Sequence, residues 1–209
     1  MSILQSIMQH KIVAIIRGAN PDSLPSIVEA LQAGGIKAVE ITLNSPKAIF
    51  LINKITQEYG NSMFVGAGTV LNVRAATEAI EAGARFIISP SVDLDTIRYC
   101  KEQQIVCMPG AYTPTEIVTA FNAGADLIKI FPAPSPEYIK DLRGPLSHIP
   151  MMPTGGVTLQ NIVAYAKAGA VAFGIGSALV NTNQPVTADY LAVLTSKAQD
   201  FVTAVGSIP

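Results

Sequence analysis

Short apolar runs alternate along the chain with longer segments in which polar and apolar residues are mixed. At four places a pair of small residues stands between the two, namely Ala33-Gly34, Ala82-Gly83, Ala123-Gly124 and Ala168-Gly169. Glycine supplies the left-handed residue that commonly ends a helix, and the apolar, often β-branched run after each pair is typical of a buried strand. The pattern therefore predicts four junctions from helix to strand.

The junction glycines stand 49, 41 and 45 residues apart, which leaves room for two helix–strand units in each interval. One further strand is therefore expected in each gap, and another before the first junction. The eight predicted strands are 12–16, 38–42, 63–67, 86–89, 105–108, 127–130, 150–153 and 171–175. A capping-box pattern from Thr113 to Glu116 predicts one helix start, and Thr158 is expected to precede a helix over 159–167.

Regular alternation of strands and helices predicts parallel strands joined by right-handed crossovers, and eight such units close most readily into a (β/α)8 TIM barrel. With 209 residues the chain fits one domain, 1–209. An open doubly wound sheet is the alternative architecture. The segment Arg17-Gly18-Ala19-Asn20 after the first predicted strand lacks the glycine fingerprint of dinucleotide-binding sheets, so the barrel is preferred.

Composition narrows the classes of function. Hydrophobic residues make up 49% of the chain and charged residues 14%, which is typical of an ordered domain. The formal net charge is -1 and no basic stripe occurs, so nucleic-acid binding is not expected. No apolar run approaches the ~20 residues that cross a bilayer, and the first 20 residues lack a signal-peptide pattern. We therefore expect a soluble, cytoplasmic protein with no membrane partner.

The residues that most often build metal sites and disulfides are scarce. Cys100 and Cys107 form no CxxC pair, and we expect both to be buried or half-buried free thiols of a reducing compartment. His10 and His148 are the only histidines, so neither a multi-histidine zinc site nor a Ser-His-Asp triad is easily assembled. No metal and no cofactor are predicted.

Two ionisable residues lie inside predicted strands and are the main candidates for catalysis. Lys129 is flanked by apolar residues, and burial there would lower the pKa of its amine and make it a nucleophile for a carbonyl. The alternative is a lysine that points outward and snorkels between helices. Glu40 lies in another apolar strand, where it would be an ion-pair partner, a general base, or a purely structural carboxylate.

Further candidates follow the strands, because barrels place their chemistry at the carboxyl ends. Arg17 follows the first strand and is suited to hold a carboxylate through two hydrogen bonds, with a surface ion pair as the alternative. Glycine-rich loops follow the last two strands and predict a phosphate site, with mere tight turns as the alternative. Other strand-end candidates are Thr42, Thr69, Pro90 and Phe131, and the two loops contribute Thr154, Gly155, Gly156, Gly176 and Ser177.

With these residues in place, the chain resembles the 2-keto-3-deoxy-6-phosphogluconate (KDPG) and 4-hydroxy-2-oxoglutarate (KHG) aldolase family along essentially its whole length. The motifs that carry the resemblance are Val39-Glu40-Ile41-Thr42-Leu43, Val65-Gly66-Ala67-Gly68-Thr69-Val70-Leu71, Ile88-Ser89-Pro90, Ile128-Lys129-Ile130-Phe131-Pro132-Ala133 and Pro153-Thr154-Gly155-Gly156-Val157. The resemblance implies a metal-free class I aldolase and a homotrimer, with a phosphorylated keto acid and pyruvate as ligands.

The resemblance also implies roles for single residues. Lys129 would form the imine with pyruvate and Glu40 would move protons. The pyruvate pocket would comprise Arg17, Thr69, Pro90 and Phe131, and the phosphate loop would comprise Gly155, Gly156 and Ser177.

One departure from the family pattern concerns the sugar. Many phosphogluconate-type members carry an arginine where this chain has Asn44. The segment Leu43-Asn44-Ser45-Pro46 resembles the branch acting on 2-keto-3-deoxy-6-phosphogalactonate (KDPGal), whereas Thr42 is closer to the gluconate branch. Asn44 is therefore expected to contact the sugar hydroxyls or carboxylate. The two rival classes are a barrel isomerase or decarboxylase acting on sugar phosphates and a non-catalytic phosphosugar-binding protein.

Overall fold

Parallel strands form the centre of the fold, and helices cover their outer side. The structure is a computed structural model and describes residues 2–206. The strands are β1 (Ile12–Ile16), β2 (Ala38–Thr42), β3 (Phe64–Gly68), β4 (Phe86–Ile88), β5 (Val106–Met108), β6 (Gly110–Ala111), β7 (Ile128–Ile130), β8 (Met151–Pro153) and β9 (Phe173–Ile175). The helices are α1 (Ile3–His10), α2 (Leu24–Ala33), α3 (Ala48–Tyr59), α4 (Val73–Glu81), α5 (Leu94–Glu102), α6 (Pro114–Asn122), α7 (Pro136–Arg143), α8 (Ile162–Lys167) and α9 (Ala188–Gly206).

The strands form two parallel sheets whose order follows the chain. The larger sheet has the order β5-β4-β3-β2-β1-β9 and forms half of a barrel, and the smaller one has the order β6-β7-β8. β5 and β6 are separated only by Pro109, and a single parallel bridge joins Thr154, after β8, to Gly174 of β9. β1 pairs with both β2 and the last strand, which is not the order of the doubly wound alternative. The chain therefore has an α/β fold with parallel strands.

The strand predictions agree with the structure to within two residues at each end. The fifth predicted strand corresponds to β5, and β6 continues it beyond Pro109, whose missing N–H cannot join the ladder. Gly83, Gly124 and Gly169 have φ between 101° and 106°, as the helix-ending pattern predicts. At the first junction Gly34 has a φ of -78°, and the left-handed residue is the next one, Gly35, with a φ of 90°. The capping box of Thr113 and Glu116 also opens α6 as predicted.

One helix boundary and one whole helix differ from the sequence-based expectation. The helix expected over 159–167 begins only at Ile162, because the Thr158 N–H donates to the Asn161 side chain and the intervening residues form a turn. α1 was not expected from the sequence. It begins with a capping box in which the Ser2 side chain accepts from the Gln5 N–H while the Gln5 side chain accepts from the Ser2 N–H.

Alternate strand residues belong to two separate apolar clusters. One cluster lies between the strands and the helices and contains most of the buried residues of both. The other, called the inner cluster here, consists of Ile7, Val13, Ala38, Phe86, Ile88, Met108, Leu127, Met152 and Ala172. Ala38 and Phe86 begin their strands, Leu127 and Ala172 directly precede theirs, and Ile7 comes from α1, so most of the inner cluster lies toward the amino end of the strands. Because side chains alternate in direction along a strand, the inward positions two residues after Ala38 and Leu127 are those of Glu40 and Lys129.

Two further expectations concern membranes and thiols. Among residues 2–206, no helix combines the length and the apolar character that a membrane span requires. Cys100 on α5 and Cys107 on β5 are buried free thiols.

Candidate active site

Lys129 lies at the middle of β7 and is almost completely buried, with 4% of its surface exposed. It is in register with Gly110 of β6 and Met152 of β8. Its Nζ lies 4.9 Å from the centroid of the Phe131 ring, a cation–π distance. Burial lowers the pKa of the amine, the Glu40 charge opposes that shift, and the Arg17 charge adds to it. The structure therefore places Lys129 inside the strands, not on the outer surface.

Glu40 lies on β2 with 1% of its surface exposed. Gly68 of β3 makes room for it, because a Cβ at that glycine would lie 1.7 Å from Glu40 Oε1. Neither carboxyl oxygen has a hydrogen-bond partner within residues 2–206. Burial raises the pKa of the carboxyl, and the charges of Lys129 and Arg17 only partly oppose this shift. Burial therefore favours the neutral form of both Glu40 and Lys129.

Burial of the Glu40 carboxyl without a hydrogen bond, together with burial of the Lys129 amine, costs free energy of folding. A buried polar group without a hydrogen bond costs about 1–3 kcal/mol in proteins. The two ion pairs found in the described part of the chain, Arg74–Glu78 and Arg98–Asp95, are both on the surface, so neither compensates that cost. Shifted pKa values that arise from burial beside a specific partner are typical of catalytic sites.

A cavity of about 630 Å³ opens next to Lys129, at the carboxyl ends of β1, β7, β8 and β9. It brings together eight of the residues singled out from the sequence, which are Arg17, Lys129, Phe131, Thr154, Gly155, Gly156, Gly176 and Ser177. Among residues 2–206, no group of three or more His, Cys, Asp or Glu side chains is placed to hold a metal ion. The cavity thus combines a buried amine whose pKa is lowered by burial, one arginine and two glycine loops.

The two glycine loops offer backbone N–H groups to the cavity. Gly155 and Gly156 have φ of 82° and 77°, a region that favours glycine, and Asn161 Nδ2 donates to the Gly156 carbonyl at 2.8 Å. In the described chain, the N–H groups of Gly156, Ser177 and Ala178 donate to no acceptor, and all three residues line the cavity. Unpaired backbone N–H groups are suited to bind an anion such as phosphate.

The other predicted site residues lie at the carboxyl ends of β2, β3 and β4, outside the cavity wall. Thr42 is buried and its Oγ1 lies 3.0 Å from Ser45 Oγ, while Asn44 is exposed in the turn after β2. Thr69 and Pro90 are half-buried, and Thr69 has a φ of 57°. Glu40 is also absent from the wall, although its charge acts on Lys129.

The cavity wall also contains residues that sequence analysis did not single out. The main ones are Gly18, Thr158, Ala178, Asn181, Thr182 and Asn183. Gly18 directly follows Arg17 and would have been found by extending the first strand end by one residue. The segment 181–183 belongs to the long connection between β9 and α9, where no periodicity or motif marks a binding residue.

Comparisons with known proteins find a matching family model, similar relatives and similar solved structures. The family model described as "KDPG and KHG aldolase" matches residues 3–195. The 2-dehydro-3-deoxy-6-phosphogalactonate aldolase of Escherichia coli K12 is 38% identical over 178 residues, covering 84% of this chain and 87% of that protein. The KHG/KDPG aldolase of the same strain is 35% identical over 78% of both chains. The solved structure named "Native KDPGal structure" has a TM-score of 0.88 and 35% identity, covering 94% of this chain and 95% of its own.

Proposed function

Since the chain belongs to the KDPG and KHG aldolase family, we propose that it is a class I aldolase that cleaves a 2-keto-3-deoxy-6-phospho sugar acid to pyruvate and glyceraldehyde 3-phosphate. The observation that carries this proposal is the buried Lys129 amine, on whose pKa the charge of the buried, unpartnered Glu40 carboxyl acts. An isomerase or a phosphosugar-binding protein would use the glycine loops without needing a buried lysine. 4-Hydroxy-2-oxoglutarate, cleaved to pyruvate and glyoxylate, is a further candidate substrate.

The reaction begins at the lysine. Neutral Lys129 attacks the C2 ketone of the substrate, and the resulting carbinolamine loses water to give an iminium ion. The low pKa of Lys129 keeps a larger fraction of the amine unprotonated at neutral pH than in an exposed lysine. Glu40, whose raised pKa keeps it protonated to higher pH than an exposed carboxyl, can donate the proton that departs with the water.

Carbon–carbon cleavage follows. Deprotonated Glu40, directly or through a water molecule, takes the proton from the C4 hydroxyl, and the C3–C4 bond breaks with its electron pair moving into the iminium. The aldehyde product leaves and an enamine of pyruvate remains on Lys129. Protonation of the enamine at C3 and hydrolysis of the imine release pyruvate and restore the free amine.

The cavity supplies matching contacts for the ends of such a substrate. Arg17 is suited to bind the carboxylate, and Phe131, whose ring centroid lies 4.9 Å from Lys129 Nζ, would contact the imine carbon. The unpaired N–H groups of Gly156 and Ser177 are suited to the phosphate. By the same proposal, the remaining pyruvate contacts are Thr69 and Pro90, and the other substrate contacts are Thr42, Asn44, Thr154, Gly155 and Gly176.

The defining experiment traps the imine. Incubation with pyruvate and borohydride should reduce one adduct per chain, located on the peptide that contains Lys129, and should inactivate the enzyme. An isomerase, a decarboxylase or a binding protein would not be inactivated in this way. An adduct on another lysine, or none, would overturn the proposal.

The substrate epimer needs a second measurement. The relatives include both a phosphogalactonate aldolase and a KHG/KDPG aldolase at similar identity. Pyruvate release from KDPG and from KDPGal, followed in parallel by a coupled assay, gives the ratio of kcat/KM for the two epimers. We propose KDPG as the preferred substrate and KDPGal as the alternative. Faster cleavage of the galactonate epimer would overturn this preference and make KDPGal the substrate.

The proposal extends to the architecture. We propose that the two sheets close into one (β/α)8 barrel, which the bridge between Thr154 and Gly174 supports. We also propose that the chain is a single domain, 1–209, of which residues 1 and 207–209 lie outside the described residues. A cytoplasmic homotrimer is proposed from the family resemblance alone. Light scattering coupled to size exclusion should give three times 22.0 kDa, and a monomer mass would exclude the trimer.

A further inference from the structure

The peptide unit between Arg17 and Gly18 is held by hydroxyl groups at both of its polar atoms. The Arg17 carbonyl accepts a 2.6 Å hydrogen bond from Thr182 Oγ1, and the Gly18 N–H donates a 2.8 Å hydrogen bond to Ser45 Oγ. The C=O and N–H of a trans peptide point in opposite directions, so the two hydroxyls hold this peptide from opposite sides.

These two hydroxyls come from the loops of both neighbouring strands. Ser45 lies in the turn after β2, and Thr182 lies in the connection after β9, while β1 pairs with β2 on one side and β9 on the other. Ser45 is itself anchored, because its N–H donates to the Thr42 carbonyl at 2.9 Å and its Oγ contacts the buried Thr42 Oγ1. The end of β1 is thereby tied to the loops of both neighbours.

The position of this peptide matters because it carries Arg17. The ladder between β1 and β2 ends with Ile16 and Ile41, so regular strand pairing does not reach Arg17. The arginine side chain is exposed, and it starts from a backbone that continues into Gly18 with a φ of 69°. The hydroxyls of Thr182 and Ser45 supply the backbone hydrogen bonds that the sheet no longer provides.

We propose that Thr182 and Ser45 are positioning residues for Arg17, which fix its backbone so that the guanidinium meets the substrate carboxylate. The inference rests on the proposed function, because it takes Arg17 as the carboxylate-binding residue. It explains why Thr182, in a loop without a recognisable motif, reaches across from the last strand to the first. It also predicts that loss of either hydroxyl weakens binding of the keto acid more than it slows the chemistry at Lys129.

The test measures exchange of the pyruvate methyl protons with deuterated water, which reports enamine formation and yields a KM and a kcat. Thr182→Val removes the hydroxyl at nearly constant volume and should raise the KM for pyruvate about three- to tenfold, the loss expected for one hydrogen bond. The kcat should stay within about twofold of the unaltered value. Thr182→Ser keeps the hydroxyl and should restore the KM, and Ser45→Ala should behave as Thr182→Val.

The chain offers a matched control at Thr195. Its Oγ1 donates to the Ala30 carbonyl at 3.1 Å and joins α9 to α2, outside the cavity wall. Thr195→Val therefore loses the same kind of hydrogen bond and should leave the KM for pyruvate unchanged. Thr182→Val should also have no further effect in an Arg17→Met background, because the hydroxyl acts through the arginine.

The outcomes separate this inference from the proposed function. If the unaltered protein exchanges pyruvate protons but Thr182→Val leaves the KM unchanged, the positioning role is wrong and the aldolase stands. An equal rise in KM in the Arg17→Met background would likewise overturn it, since the hydroxyl would then act by another route. Absence of exchange and of a trapped adduct in the unaltered protein would overturn the proposed function and this inference together.

Discussion

Gly66 and Gly68 stand two residues apart on β3, and they make room for very different groups. A Cβ at Gly66 would lie 2.1 Å from the ring of Phe86, a member of the inner cluster at the amino end of the strands. A Cβ at Gly68 would lie 1.7 Å from the carboxyl of Glu40 at the carboxyl end. The absence of a side chain at glycine thus makes room for an aromatic ring toward the amino end of the strands and for an ionisable group at the carboxyl end.

The two ends therefore make opposite contributions to the free energy of folding. Burial of Phe86, Ile7 and their neighbours stabilises the fold, at about 1.5–3 kcal/mol for each large apolar side chain. Burial of Lys129 and Glu40 costs free energy, because both groups lose water and Glu40 gains no hydrogen bond. Variants at the carboxyl end should thus trade activity for stability, and variants at the amino end should lose stability alone.

The largest effect is expected for Lys129→Met. Cleavage and pyruvate trapping should fall to background because the nucleophile is gone. Stability toward urea at pH 7 should rise by about 1–3 kcal/mol, since an apolar chain replaces a buried amine. The lowered pKa of Lys129 means that the unfolded chain binds more protons, so this gain should shrink as pH rises toward the ordinary lysine pKa of ~10.4.

The exposed Lys140 on α7 provides a matched control for that experiment. Lys140→Met should change neither trapping nor the urea midpoint appreciably. Residual cleavage by Lys129→Met above background would show that another group forms the imine.

Glu40→Gln should have the next largest effect. Turnover should fall by ~10²-fold or more, equivalent to ~2.7 kcal/mol, because the proton carrier is lost while the shape is kept. Trapping with pyruvate should persist. The trapping rate increases as Lys129 loses its proton. Because the Glu40 charge raises the pKa of Lys129, its removal should move this increase to lower pH than in the unaltered protein.

Arg17→Met sharpens the same measurement, because the Arg17 charge lowers the pKa of Lys129. Its trapping rate should rise at a higher pH, opposite to Glu40→Gln. Shifts in the same direction for both variants would contradict the electrostatic account, and undiminished turnover by Glu40→Gln would make Glu40 a purely structural residue.

The two glycines of β3 test the comparison directly. Gly68→Ala should displace the Glu40 carboxyl and lower turnover by about 10- to 100-fold. Gly66→Ala should instead overpack the inner cluster and lower stability by about 1–3 kcal/mol. Phe86→Leu should partly restore the stability of Gly66→Ala, because it removes the ring that the new Cβ meets. If both glycine variants lose turnover at equal stability, the two ends are not separate in the way described.

The smallest effect is expected for Ile7→Val in α1. Loss of one buried methylene should cost about 0.5–1.5 kcal/mol, measured as a lower urea midpoint. Turnover at 25 °C should be unchanged, because Ile7 contacts the amino end only. A change in kcat would show that packing at the amino end reaches the active site.

Much of this contrast could be predicted from the sequence, because strand periodicity is a local signal. The buried runs around Lys129 and Glu40 predicted both strands and the unusual environment of both groups. The sequence did not predict α1, although Ser2 and Gln5 have the spacing of a capping box. The apolar face of α1 packs against the amino end of the strands, and that contact is not visible in the local sequence.

The contacts of segment 181–183 could not be predicted in the same way. Thr182 reaches Arg17 across 165 positions of the chain, and no pattern within a loop encodes such a partner. The roles of Thr69, Pro90 and Asn44 rest on family resemblance for a similar reason. The position of a residue at a strand end predicts the end of the fold at which it lies. Which of these side chains line the cavity depends on the conformations of the loops.

The inner cluster has a consequence for how substrate enters and products leave the active site. Its members are at most 1% exposed, and Ile7 lies over the amino ends of the strands. Within the described residues, this cluster therefore separates the amino end of the strands from solvent, whereas the cavity opens at the carboxyl end. On the proposed reaction, the sugar acid, both products and the water that hydrolyses the imine would use the cavity at the carboxyl end. The apolar cluster at the amino end thus directs substrate and products to the same end of the strands.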